Sequence, residues 1–155
     1  MKMIFKNISK FILILLILNS CGYSPMFKDF GDLDFSINIK ETYGARKINN
    51  LIITNLKSYT QIEAAKKYEI SIDTDYNKNI IAKDSTGAAT EYKIVISSNF
   101  KINSTNFNEE ISFTESFNMQ SMSNKLDEKD YEENIENNLT NTITRKLILK
   151  LSQLE

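Results

Sequence analysis

Cys21 is the one thiol in a 155-residue chain that contains no histidine, and together these facts remove most side-chain chemistry. Without histidine there is no His-based triad, proton shuttle or His metal site. A single cysteine cannot close an internal disulfide. The four glycines are scattered and build no phosphate-cradling loop. Paired carboxylates can run glycoside hydrolysis, but the acids here concentrate in "DEKDYEENIE" (127–136). At a helix start they read as a solvated face that complements the helix dipole. "DTDYNKN" (73–79) offers oxygen ligands but lacks the glycine and terminal glutamate of a calcium loop, so it reads as a polar strand end. No enzyme, metal or bound small-molecule cofactor is expected.

What Cys21 does follows from the residues before it. Residues 1–10 carry Lys2, Lys6 and Lys10 and no acid, and "FILILLIL" (11–18) is wholly apolar. A basic start followed by a short apolar run is the build of a signal peptide. The run is too short for a comfortable bilayer crossing, which takes about 20 residues. "LNSC" (18–21) then places a large aliphatic residue three before the cysteine and a small one immediately before it. That pattern resembles the lipobox of bacterial lipoproteins, although Asn19 stands where a small or hydroxyl residue is usual. The resemblance implies cleavage before Cys21, a diacylglycerol on its sulfur and an acyl group on its new amino terminus. Two or three chains hold a protein firmly to a membrane, each buried methylene contributing about 0.8 kcal/mol. Gly22 follows, where an aspartate would resemble an inner-membrane retention signal, so the expected address is the periplasmic face of an outer membrane. The expected organisation is a signal peptide over 1–20, a lipidated tether over 21–32 and one domain over 33–155.

Cleavage would remove those three lysines from the 19 basic residues and none of the 20 acids. The mature chain is then about four charges negative by ordinary ionisation at neutral pH. That sign argues against a nucleic-acid partner, which normally needs a basic face.

Beyond the tether the hydrophobic period defines the elements. "LDFSINIK" (33–40) alternates with period two, as a strand with one wet face does. "ARKINNLIITNLKSY" (45–59) places Ile48, Leu51, Ile52, Leu56 and Tyr59 on one helical stripe. Alternation returns in "KYEISIDTDY" (67–76), "EYKIVISSNFKI" (91–102) and "EISFTESFNM" (110–119). The polar links between them include Gly87, free to take positive φ. In 127–154, apolar residues from Tyr131 to Leu154 recur almost every fourth position, a stripe that must wind about 40° per step around a helix. Asp127 is the expected N-cap. Each strand has a single apolar face, so one helical layer covers the sheet. The expected fold is a two-layer α+β sandwich: a four-stranded, mostly antiparallel sheet with both helices on one face, in the order β-α-β-β-β-α.

"GAATEYKIVISSNFKI" (87–102), placed after a strand and a polar turn, resembles the LPS-assembly lipoprotein (LptE) family. So do the strand ending "SFTESFNM", the link "QSMSNKLDEKD" and the closing helix "LTNTITRKLILKLSQL". The likeness spans nearly all of the mature chain and rests on order, length and anchor more than on any single motif. It implies a non-catalytic outer-membrane lipoprotein that plugs a large β-barrel, assists its assembly and helps pass lipopolysaccharide to the outer leaflet. It also implies basic side chains near the loops that meet lipopolysaccharide phosphates; Lys125 and Lys83 are the best placed. Two other readings stay open: an accessory lipoprotein of another envelope complex, such as the barrel-insertion machinery, and a carboxylate-dependent wall hydrolase.

Overall fold

In the computed structural model residues 35–106 and 108–154 are described. The lipobox, Cys21, the tether and Leu33 lie outside them. The elements are β1 (Phe35–Gly44), α1 (Arg46–Thr60), β2 (Lys66–Lys83), β3 (Ala89–Asn103), β4 (Asn108–Gln120) and α2 (Lys125–Ser152). The strands form one sheet in the order β1-β2-β3-β4, with β1 parallel to β2 and both later pairs antiparallel. A parallel pair needs a crossover, and α1 supplies it. Both helices pack on the same sheet face and against each other. The α+β sandwich expected from the periodicity is the observed fold. No helix among the described residues is long and apolar enough to cross a membrane.

The alternation along each strand becomes the core. Ile70 and Ile72 of β2 and Ile94, Ile96, Phe100 and Ile102 of β3 are fully buried on the helix side. Ile52 and Leu56 of α1 and Ile143 and Leu147 of α2 close over them. Each such side chain contributes about 1.5–3 kcal/mol through removal from water. At one end Phe35 stacks on Tyr59 with centroids 5.7 Å apart. Beside it the Tyr68 hydroxyl donates to the Leu151 and Leu154 carbonyls, tying β2 to the last turn of α2.

The junction of β1 and α1 is held differently. Gly44 takes φ +81°, and the following Ala45 N–H donates to the Thr74 carbonyl at 2.8 Å. Asn49, in the buried stripe of α1, donates to the Tyr43 carbonyl at 2.7 Å and accepts from the Thr74 hydroxyl at 2.9 Å. A buried amide satisfied on both sides fixes where β1 stops and α1 begins.

Three details differ from the sequence reading. The N-cap of α2 is Asn124, whose side chain accepts from the Leu126 N–H at 3.0 Å. The helix therefore starts two residues before Asp127, which sits in the first turn and still favours the dipole. Second, β2 runs on to Lys83, because β3 pairs with it well beyond the alternating segment. "DTDYNKN" thus lies within a continuous strand, not at its end. Third, Phe117 shares the helix-side face of β4 but is 42% exposed, resting edge-on against Tyr131 at the open border of the sheet.

Candidate functional site

The sheet face away from the helices is the most distinctive surface. Cross-strand rows bring Ser71, Asp73, Asp75 and Asn77 of β2 beside Lys101, Asn99, Ser97 and Val95 of β3. The same rows continue into Glu110, Ser112, Thr114 and Ser116 of β4. Side chains on this face bond to one another: Ser97 with Thr114 along one row at 2.9 Å, Asn99 donating diagonally to Glu110, and Asn77 donating to Asp75 along β2 at 2.6 Å. Asp73, Asp75, Ser97, Asn99 and Ser112 line a shallow depression of about 170 Å³. Hydroxyl, amide and carboxylate groups make this a hydrogen-bonding wall, with Val95 the one apolar side chain in these rows.

Both lysines named from the resemblance lie at one end of the sheet. Lys83 closes β2 at the hairpin, and Lys125 opens α2, which follows β4 where Gln120 pairs with Glu91 of that hairpin. Lys83 is exposed beside a tightly bonded turn. The Asp84 carboxylate accepts from the Thr86 amide and hydroxyl and from the Ala88 amide, and Gly87 takes φ +87°. Those bonds, the Thr86 hydroxyl first, hold the Asp84 carboxyl below its usual range.

Lys125 is engaged within the fold. Its ammonium lies 2.9 Å from Glu128, whose Oε2 also accepts from the Ser121 hydroxyl and the Met122 N–H, each at 2.8 Å. The lysine, the Met122 amide and the Ser121 hydroxyl together pull the Glu128 carboxyl down to about 2. Lys125 thereby organises the β4–α2 link, although its side chain is 70% exposed.

Only part of the acidic run of α2 is the solvated face that its sequence pattern suggests: Asp127 and Asp130 are exposed, but other acids turn inward. Glu128 and Glu136 are buried, and Glu132 lies between them on the sheet-facing stripe. Glu132 accepts from Tyr76 at 2.5 Å and pairs with Lys78 at 2.6 Å, and Lys78 also sits 4.3 Å over the Tyr92 ring. Glu136 pairs with Lys47 of α1 at 2.6 Å. Burial alone would raise the Glu132 carboxyl, but the bonds from Lys78 and Tyr76 outweigh it and lower it. Burial, aided by Glu132, pushes the Tyr76 hydroxyl up. A general acid needs the opposite shift, a carboxyl raised towards neutrality. Glu128 and Glu132 are clamps between α2 and the rest of the fold. Of the pairs made by Glu128, Glu132 and Glu136, the last two reach lysines on other elements, which a helical repeat cannot reveal.

No family model matches the chain, and no curated protein matches it. Solved structures do share its fold. The crystal structure of rare lipoprotein B from Shewanella oneidensis is similar at TM-score 0.56 and 10% identity, over 74% of this chain and 94% of that one. The solution structure of lipoprotein B from Nitrosomonas europaea is similar at TM-score 0.50 and 14% identity, over 79% and 87%. A minor lipoprotein from Acinetobacter baumannii is similar at TM-score 0.50 and 12% identity, over 76% and 91%. At these identities the likeness is one of fold, and it joins this chain's β-α-β-β-β-α sandwich to that of bacterial lipoproteins.

Proposed function

We propose that the chain is a non-catalytic lipoprotein, anchored through lipid on Cys21 to the periplasmic side of the outer membrane. There it plugs the β-barrel of a lipopolysaccharide translocon and assists both barrel assembly and delivery of lipopolysaccharide to the outer leaflet. The observation that carries the reading is the fold held in common with lipoproteins, lipoprotein B among them, across about three-quarters of the chain. The polar sheet face supports it physically. Barrel interiors are polar and wet, and a wall of Ser, Thr, Asn and Asp side chains exchanges hydrogen bonds with such a lining without apolar matching. Lys83 is the better phosphate contact of the two lysines, because Lys125 is already held by Glu128.

Crosslinking the tagged full chain in native membranes, followed by mass spectrometry, tests the proposal. The expected product is one dominant outer-membrane barrel of the lipopolysaccharide-export type. Recovery with a different envelope complex, or with no barrel, removes the function and leaves the fold intact. Cys21→Ala should shift the chain almost wholly out of the outer-membrane fraction, because the lipid is its attachment. Normal outer-membrane fractionation of that variant would defeat the lipoprotein reading.

A further inference from the structure

The two borders of the sheet are built unlike each other. β1 carries the devices by which proteins blunt a free edge: a bulge between Ile39 and Glu41, with Lys40 at it. β4 has no such bulge. Its pairing with β3 runs unbroken from Asn108 to Gln120, and the strand contains no lysine and no proline. Its three glutamates do not guard the edge either, because each is engaged within the fold. Glu109 pairs with Lys150, Glu110 accepts from Asn99, and Glu115 pairs with Lys146. Among the described residues nothing pairs with the outer side of β4, so a long, regular row of backbone donors and acceptors is left at the border. Such an edge is a template for a further strand.

We propose that β4 pairs antiparallel with β4 of a second copy, across a two-fold axis through Thr114, giving a continuous eight-stranded sheet. Opposed residues in an antiparallel pair point to the same face, so an axis perpendicular to the sheet must pass through a residue. Thr114 is the midpoint of the 13-residue strand, and only that centre pairs every residue from Asn108 to Gln120. The charges agree with it. Glu109 meets Met119 of the second copy, Glu110 meets Asn118, and Glu115 meets Phe113, so no like charges stand directly opposite each other; the two Glu115 side chains, each paired with its own Lys146, are diagonal neighbours. Moving the centre to Ser112 would set Glu109 against Glu115, and moving it to Glu115 would set that residue against itself. The Thr114 register also lays half-exposed Phe117 beside Ile111, an aromatic and β-branched pair of the kind that sheets favour. Both helical layers remain on one side, and the polar faces merge into one wall. The inference stands apart from the barrel reading and concerns the chain when it is not seated in a lumen, since a closed barrel has every strand already paired and offers none to β4.

Oxidative crosslinking of the full chain in native membranes tests it. In Thr114→Cys the two thiols stand directly opposite, at Cα separations of about 4.5–5.5 Å that a disulfide accepts. In Ser116→Cys they lie roughly 13 Å apart along the strands. We expect at least tenfold more disulfide dimer from Thr114→Cys than from Ser116→Cys or the unaltered chain. Coexpressing Ser112→Cys with Ser116→Cys should restore the dimer, because those positions oppose each other. Equal yields from positions 114 and 116, or no dimer from either Thr114→Cys or the coexpressed pair, would overturn the proposal. A disulfide from position 114 to a different protein would overturn the choice of a second copy.

Discussion

Gly44→Ala should lower the unfolding free energy by about 2–4 kcal/mol, read as a fall in the urea midpoint at unchanged slope. Two separate costs add. A side chain at φ +81° occupies the left-handed region, at about 1–2 kcal/mol for an L-residue. The added Cβ would also run into the backbone carbonyl of Thr74. That carbonyl accepts from Ala45 and cannot swing aside without loosening a hydrogen bond worth about 1 kcal/mol. Gly87→Ala provides the comparison. Gly87 has a similar φ of +87°, but a Cβ there meets nothing within 4 Å. Its cost should be the conformational one alone, about 1 kcal/mol. Equal losses at the two glycines would show that close approach at Thr74 does not hold the β1–α1 junction.

Glu128→Gln should cost about 1–3 kcal/mol at neutral pH, because the carboxylate takes charge-assisted bonds from Lys125, the Met122 amide and Ser121. Its pH dependence carries a definite sign. The folded carboxyl titrates at about 2, against an ordinary value of 4.5. A lowered value means that ionised Glu128 stabilises the fold fully above about pH 5, and that this contribution is lost as the pH falls towards 2. The gap between the native chain and Glu128→Gln should therefore narrow across that window, as urea titrations at pH 7, 4 and 2.5 would show. Lys125→Ala should cost less, about 0.5–1 kcal/mol. The Lys125 ammonium ranks first among the influences on Glu128, but its side chain is 70% exposed and salt screens the pair. A gap independent of pH, or a larger loss at Lys125, would contradict the clamp.

The strands and helices were legible because burial has a period. Ile70 and Ile72 alternate with polar neighbours, and Ile48, Ile52 and Leu56 recur at helical spacing, so each element announced its buried side locally. The fold class followed, since four one-faced strands and two amphipathic helices have few ways to hide their apolar surfaces. The signals failed where a residue's role depends on a partner far along the chain. Asn49 looks like an ordinary helix-surface amide, but Thr74 and Tyr43 turn it into a buried tie. The acids of α2 fit a dipole-complementing face equally well, but Lys47 and Lys78 come from α1 and β2 to meet Glu136 and Glu132. Ile80 and Ile81 break the alternation of β2, and pairing with β3 carries the strand through them nonetheless.

Residue types and their spacing specify the six elements, their order, the face each one buries and the chemistry that a chain without histidine lacks. Those are short-range properties, set by side-chain type and spacing along a few turns or a few strand residues. Packing settled the rest: β1 runs parallel to β2, Glu132 and Glu136 take their lysines from β2 and α1, and among the described residues β4 is the last strand of the sheet. These are contacts between residues distant in sequence. They are settled by which surfaces remain to be covered once each element has formed, and no local period records that.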